Sequence, residues 1–181
     1  MKKLLRYLMM TVMAVAFCVP GFSAAEAATV ALLPLVNNVQ DDVANQVFYK
    51  EAMNSLKAQK GFVLVENDAL TAAIDAAKLN GRLPSEAELQ KIAADGKVDI
   101  VIAMQLDKLT KKTTKSTKQR FVVLDLKGKT VAYNAITGAF YSHDIRSDAK
   151  APEAVTSRWD WKNEQWGRQV RLEMEKALKA Q

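Results

Sequence analysis

Few side chains beyond residue 27 could act as nucleophiles or soft metal ligands, because that part of the chain has one histidine and no cysteine. His143 lies between Ser142 and Asp144, which are the residue types of a serine-type catalytic relay. Neighbouring side chains on a strand point to opposite faces, so three consecutive residues do not form one relay. We therefore interpret His143 as an exposed strand histidine without a catalytic role, and expect no metal site and no cofactor.

Carboxylate pairs are the other groups that could catalyse a reaction, since glycoside cleavage needs two acids about 5–10 Å apart. The acids considered are Asp41, Asp42, Glu86, Glu88 and Asp99. The first four lie at predicted helix starts, where negative charge stabilises the exposed N–H groups, and the last lies at the start of a predicted strand. We therefore expect a protein that is not an enzyme. A small extracytoplasmic hydrolase with paired carboxylates is the alternative.

A basic cluster is the most conspicuous charged feature of the chain. It comprises Lys108, Lys111, Lys112, Lys115, Lys118 and Arg120, interleaved with threonines. A flexible tip of this composition would bind anionic lipid or envelope polymer, each well-placed charge near a membrane contributing about 1 kcal/mol. The same charges would also keep sheet edges from pairing, so the sequence leaves both interpretations open.

Three tryptophans close to one another form a second candidate surface. Trp159 and Trp166 are seven residues apart and are predicted on the buried side of the last helix. Trp161 lies about 200° around the helix from Trp159. Because aromatic residues dominate interface energetics, Trp161 is the one predicted to contact a partner.

The amino-terminal segment indicates where the protein works. Lys2, Lys3 and Arg6 precede an apolar run that ends at Val19, and small residues lead to Ala27. This order is typical of a secretory signal peptide, and the run is shorter than the roughly 20 residues that span a membrane. We predict that residues 1–27 are a signal peptide, with cleavage between Ala27 and Ala28, and that the mature chain is periplasmic or secreted.

Cys18 raises the question of a lipid anchor. A lipidated cysteine follows small residues, whereas Phe17 stands directly before Cys18. We therefore predict that Cys18 belongs to the discarded leader. The mature chain then has no disulfide and no transmembrane segment.

Size and charge limit the class of partner. Residues 28–181 suffice for one domain with its own hydrophobic core. The formal net charge of +6 for the whole chain is a mild basic excess that favours anionic surfaces. For an exported protein we expect an envelope protein or an anionic envelope polymer as the partner, and no nucleic acid. The oligomeric state is open, and a homo-oligomer is compatible with the sequence.

The first half of the mature chain alternates predicted strands and helices. Apolar runs predict buried strands at 28–36, 62–66 and 98–106. Helical patterns lie between them, capped by Asp41, by Asn67 with Asp68, and by Ser85, which has capping-box spacing to Glu88. The second helix is predicted to end at Asn80 and Gly81. Such alternation favours crossover units on a partly parallel sheet.

The pattern changes beyond Lys108. Residues 110–119 contain no apolar side chain and are predicted to be a solvated connection or a hairpin tip. Strands follow at 120–126, 130–133 and 135–145, with a hairpin turn at Gly128, and a long helix follows Pro152. The sequence thus predicts a single α/β (α+β) domain with a mixed sheet of about 4–5 strands, antiparallel late strands and a long C-terminal helix.

Several of these segments together carry a resemblance. They are Val-Ala-Leu-Leu-Pro-Leu, Ser-Leu-Lys-Ala-Gln, Gly-Phe-Val-Leu-Val-Glu-Asn-Asp-Ala-Leu, Ala-Ala-Asp-Gly-Lys-Val-Asp-Ile-Val-Ile-Ala and Phe-Val-Val-Leu-Asp-Leu-Lys-Gly-Lys-Thr-Val. In this order they resemble the small α/β domain shared by the TolB amino-terminal domain, CsgG and LpoB. The resemblance implies an open sheet with helices packed on it, in an envelope protein that binds other proteins and has no catalytic residues.

The sequence therefore predicts an exported, non-enzymatic binding or assembly module of the bacterial cell envelope. It would act through contacts with a protein or an anionic polymer. Besides the hydrolase, a small-ligand carrier is an alternative, and it would need an enclosed apolar pocket.

Overall fold

The computed structural model describes residues 27–39, 42–115, 120–153 and 160–179. The strands are β1 (Ala28–Leu32), β2 (Val36–Asn37), β3 (Phe62–Leu64), β4 (Ile100–Lys115), β5 (Arg120–Asn134) and β6 (Phe140–Pro152). The helices are α1 (Asp42–Ala58), α2 (Asp68–Ala77), α3 (Glu86–Gly96) and α4 (Asp160–Lys179). Except for Ala27, the predicted leader lies outside the described residues, as does Asp41.

The strands form one mixed sheet in the order β3-β1-β4-β5-β6, with β2 pairing beside β1 on β4. β1 is parallel to both β3 and β4, because helices connect these strands, whereas β4, β5 and β6 form an antiparallel meander. The predicted α/β fold class is confirmed. The sheet has six strands instead of the predicted 4–5.

Helices cover both faces of the parallel half of the sheet. On one face, Phe48 of α1 and Met174 of α4 pack against a cluster that includes Ile102. On the other face, Leu70 of α2 and Ile92 of α3 pack against a second apolar cluster. We call these the α1/α4 face and the α2/α3 face. Because β1 contributes to both clusters, its sequence is a continuous apolar run.

The predicted helix starts are confirmed where the structure describes them. The side chain of Asn67 accepts a hydrogen bond from the backbone N–H of Leu70 at 2.7 Å. Ser85 and Glu88 form the predicted capping box. The predicted end of the second helix is wrong, since α2 ends at Ala77 and Lys78 takes the left-handed conformation there, with φ of 46°.

The largest differences from prediction lie in the meander. β4 continues to Lys115 and pairs with β5 as a hairpin, so residues 110–115 of the segment predicted as a solvated connection or hairpin tip are strand. Gly128, predicted in a turn, lies inside β5. The predicted strand at 135–145 is wrong at both ends, because β6 runs from Phe140 to Pro152. Residues 135–139 are the turn, in which the side chain of Asn134 accepts a 2.8 Å hydrogen bond from the N–H of Ile136.

Among the described residues, no helix combines the length and the apolar character that crossing a membrane requires.

Candidate binding surface

A β-bulge in β4 decides which face each lysine of the basic cluster occupies. Leu106 pairs with Gly128 and Lys108 pairs with Lys127, so Asp107 is an extra residue in β4. The extra residue reverses the alternation, and even-numbered positions beyond it lie on the α2/α3 face. Gly128 fits this site because a Cβ there would lie 2.3 Å from the carbonyl oxygen of Gln105.

Beyond the bulge, the sheet extends past the helices that cover its α2/α3 face. In the described part of the chain, the apolar cluster under α2 and α3 contains no residue of β4 after Ala103 and none of β5 before Val131. The extension therefore leaves one side of three strands uncovered by that cluster. We call this side the outer face; by strand register it comprises Lys108, Thr110, Lys112, Thr114, Phe121, Val123, Asp125, Lys127, Arg146, Asp148 and Lys150.

Three cations lie side by side across the outer face. Lys127 pairs with Lys108 on one side and with Arg146 on the other. Adjacent strands are about 4.8 Å apart, so the three positions form a short row of like charge. Lys127 and Arg146 are exposed, and 37% of the Lys108 side chain is exposed. Like charges directly opposite one another destabilise a sheet, so packing within the monomer does not explain this row.

Asp125 partly neutralises the row. Its carboxylate accepts a hydrogen bond from the ammonium group of Lys108 and lies near Lys127 and Lys112. The hydrogen bond from Lys108 is the main cause that holds the pKa of Asp125 below its ordinary value, and the charges of the three lysines add to it. The carboxylate of Asp125 therefore stays ionised, and its single negative charge is smaller than the total positive charge of the basic side chains around it.

Two more cations lie further along the outer face. Lys112 and Lys150 flank Val123 on the same cross-strand row. The ammonium nitrogen of Lys150 lies 4.6 Å from the ring centroid of Phe121, a distance typical of a cation–π contact. The outer face thus carries five basic side chains in two rows separated by about 14 Å.

The structure divides the predicted basic cluster between two faces. Lys108 and Lys112 lie on the outer face, together with Lys127, Arg146 and Lys150, which sequence reasoning missed. Lys111, Lys115 and Arg120 lie on the opposite face. There, the guanidinium of Arg120 is 3.8 Å from the carboxylate of Glu153.

Two predicted partner residues stay untested by the geometry. Lys118 lies outside the described residues. Trp161 belongs to the first turn of α4, but its side chain is not among those described, and neither is that of Trp166. Trp159 also lies outside the described residues.

A buried carboxylate organises a second polar site. The Glu173 side chain has no exposed surface, although it lies on α4 between the core residues Val170 and Met174. One of its oxygens is 2.9 Å from Nδ1 of His143, and the other accepts hydrogen bonds from Lys176 at 2.8 Å and Gln169 at 3.2 Å. These partners satisfy a group that would otherwise be costly to bury.

His143 therefore differs from its interpretation as a plain exposed histidine. Its side chain is 40% exposed, pairs with Glu173 and stacks on Tyr141 with ring centroids 6.1 Å apart. Burial, together with the charge of Glu173, raises the pKa of Tyr141. Ser142 and Asp144 lie on the other face of β6, as predicted, so these neighbours form no relay with His143.

Two of the acids considered for the alternative hydrolase, Glu88 and Asp99, have structural partners. Glu88 receives two hydrogen bonds from the guanidinium of Arg82, at 2.5 and 2.8 Å. Asp99 accepts hydrogen bonds from both the N–H and the hydroxyl of Thr29, each at 2.8 Å, and so links the start of β1 to the start of β4. These contacts hold strands and helix ends in place.

Two clefts lie where β1 ends, near the carboxyl ends of the parallel strands. One, of about 590 Å³, is lined by residues that include Leu35 and Tyr49. The other, of about 370 Å³, lies beside the α2–α3 connection and includes Arg82. The carboxyl ends of parallel strands are where α/β sheets commonly bind ligands, so the carrier alternative would use these clefts.

Comparison with known proteins gives structural matches only. No family model matches the sequence, and no curated protein matches it. A hypothetical protein from Chlamydia trachomatis is similar in structure, with 14% identity over 85% of this chain and 99% of that one and a TM-score of 0.53. That likeness shows the fold.

Two further structures are less similar. A lipoprotein from Neisseria meningitidis has 12% identity over 70% of this chain and 85% of that one, with a TM-score of 0.42. The C-terminal domain of LpoB from Escherichia coli has 12% identity over 74% of this chain and 92% of that one, with a TM-score of 0.40. Of the three proteins in the predicted resemblance, LpoB is thus among the structures found. The resemblances to CsgG and TolB stay predictions.

Proposed function

We propose that the chain is an exported, non-enzymatic binding module of the cell envelope that holds an anionic partner on its outer face. The observation that carries this proposal is the row of Lys108, Lys127 and Arg146, which places three cations opposite one another on an uncovered sheet surface. Repulsion within the row destabilises the free protein. An anion bound across the row would relieve this repulsion, and the relief would add to the binding free energy.

The spacing of the cations favours a partner with repeated negative charges. Lys108 and Lys112 are four residues apart on one strand, which corresponds to about 14 Å. A single small anion can bridge neighbouring strands but not both rows. An anionic envelope polymer or an acidic protein segment can contact both.

Export is the second part of the proposal, and the amino-terminal sequence supports it. The charged residues, the apolar run and the small residues before Ala28 have the order of a signal peptide. We expect the mature protein in the extracytoplasmic fraction, with Ala28 as its first residue by mass spectrometry. Intact, unprocessed chain in the cytosol would contradict export.

Site-specific photo-crosslinking in living cells tests the binding surface. Lys127→p-benzoylphenylalanine places the reactive group on the outer face, and Lys115→p-benzoylphenylalanine places it on the opposite face of the same sheet extension. We expect the first variant to capture an anionic envelope component that the second does not. Equal capture from both positions, or none from position 127, would contradict the proposed surface.

A further inference from the structure

The outer edge of β6 has no strand partner among the described residues. β6 lies at the end of the strand order and pairs with β5 along its whole length, from Phe140 to Pro152. Its 13 residues are about twice the usual strand length, whereas the opposite edge strand β3 has three. A long free edge presents unpaired N–H and C=O groups to another strand.

The charges on this edge alternate in sign. Positions 144, 146, 148 and 150 are Asp, Arg, Asp and Lys, and β-sheet alternation assigns all four to one face. Charged side chains and prolines on an edge strand oppose pairing, and charges of like sign do so most strongly. Alternating signs have the opposite effect, because an antiparallel copy of the same strand is complementary to them.

One register satisfies all four charges. With a two-fold axis through Ser147 and perpendicular to the sheet, Arg146 lies opposite Asp148 of the other copy, and Asp144 lies opposite Lys150. The symmetry repeats both pairs, so the interface contains four opposite-charge pairs. Moving the register by two residues places Arg146 opposite itself and Asp144 opposite Asp148, which is unfavourable. The charge pattern therefore specifies this register.

The other face of β6 is compatible with the same register. Ser147 lies on the axis, where two copies of a small side chain meet. Ile145 would lie opposite Ala149, and His143 opposite Ala151 of the second copy. In both pairs a small side chain faces a larger one.

We propose that β6 pairs antiparallel with β6 of a second copy of this chain, about a two-fold axis through Ser147. The sheet then runs through both copies. A two-fold axis perpendicular to the sheet keeps equivalent faces on the same side, so the two outer faces form one surface. The dimer brings both copies of Lys108, Lys112 and Lys127 onto one surface for an extended anionic partner, while Arg146 and Lys150 pair with acids across the seam.

A cysteine on the axis tests the register. In protein expressed with its leader and carrying Cys18→Ser, Ser147→Cys places two thiols on paired residues whose Cα atoms are about 4.5–5.5 Å apart. Mild oxidation should convert most of the protein to a covalent dimer. Ser142→Cys is the control, because in this register its two copies lie about 34 Å apart. Equal cross-linking of both variants would overturn the proposal.

Charge reversal tests the complementarity without cysteine chemistry. Arg146→Asp with Lys150→Asp makes the edge wholly acidic, and Asp144→Lys with Asp148→Lys makes it wholly basic. By light scattering we expect the unaltered protein to be a dimer, each variant alone to be a monomer, and a mixture of the two variants to form heterodimers. A monomeric unaltered protein, or variants that remain dimeric alone, would overturn the proposal. Circular dichroism of each variant confirms that it is folded. The crosslinking result at position 127 does not depend on any of these outcomes.

Discussion

Lys108 and Lys127 lie directly opposite each other on neighbouring strands and on the same face of the sheet. Cross-strand pairs of like charge are destabilising, and the hydrogen bond from Lys108 to Asp125 offsets only part of that repulsion here. The pair therefore lowers the free energy of unfolding of the free protein. We interpret it as the centre of a surface for an anionic partner.

Removing one member of this pair should stabilise the fold. Lys127→Gln relieves repulsion from both Lys108 and Arg146, so the free energy of unfolding in urea should rise by about 0.5 kcal/mol at low salt. Lys111→Gln is the matched control, because Lys111 lies opposite Leu124 and should leave stability unchanged. A loss of stability in Lys127→Gln would mean that Lys127 stabilises the folded monomer, which would contradict the prediction.

Glu173 should be important for stability even though it is charged. Glu173→Ala removes a fully buried side chain that has three polar partners and leaves a cavity beside Val170 and Met174, so the free energy of unfolding should fall by about 2 kcal/mol. Lys176→Ala should cost less than about 1 kcal/mol, since that side chain is 49% exposed and Glu173 keeps its other partners. If Glu173→Ala were as stable as the unaltered protein in thermal or chemical unfolding, the buried cluster would have no stabilising role.

Gly128 should be intolerant of any side chain. Gly128→Ala would place Cβ 2.3 Å from the carbonyl oxygen of Gln105, a backbone atom at the bulge, and should cost about 2 kcal/mol or more in urea unfolding. Gly138→Ala provides the comparison, because it has open space around it but a φ of 72°, and should cost about 1 kcal/mol. A Gly128 variant as stable as the Gly138 variant would contradict the close approach.

Glu88 should make stability depend on pH in the acidic range. The hydrogen bonds from Arg82, with a smaller contribution from Ser85, lower the pKa of Glu88 from 4.5 to about 2. Because the folded pKa lies below the unfolded one, this contribution is complete above about pH 4.5 and is lost as pH falls towards 2. NMR titration should give a midpoint near 2, and Arg82→Gln should raise it. A midpoint near 4.5 in the unaltered protein would rule out the proposed interaction.

Local signals in the sequence sufficed for the first half of the fold. The caps at Asn67 and Ser85 and the buried run of β1 depend on neighbouring residues, so sequence reasoning placed them correctly. The strand at 110–115 was missed because it pairs through its backbone while most of its side chains stay in water. A glycine between two lysines is typical of a turn and gives no sign of the bulge opposite Gly128, which is why the predicted turn is wrong.

The candidate site depended on relationships that sequence spacing does not contain. The extra residue Asp107 moved Lys108 and Lys112 to the α2/α3 face and Lys111 to the α1/α4 face, and nothing in the spacing of the charges predicts this reversal. The contact between His143 and Glu173 joins two elements 30 residues apart. A signal for it was present, because Glu173 falls within the apolar stripe of Val170, Met174 and Ala177 on α4.

Two double variants that remove the same charge from opposite faces test the central claim most directly. Lys112→Gln with Lys127→Gln removes two cations from the outer face, and Lys111→Gln with Lys115→Gln removes two from the other face. We would measure co-sedimentation with anionic vesicles and with anionic envelope polymer at low and at high salt, since about 1 M salt screens charges beyond roughly 3 Å. The account predicts salt-sensitive binding that falls about tenfold or more in the first variant and is nearly unchanged in the second. Equal losses in both variants, or binding that ignores salt, would contradict it.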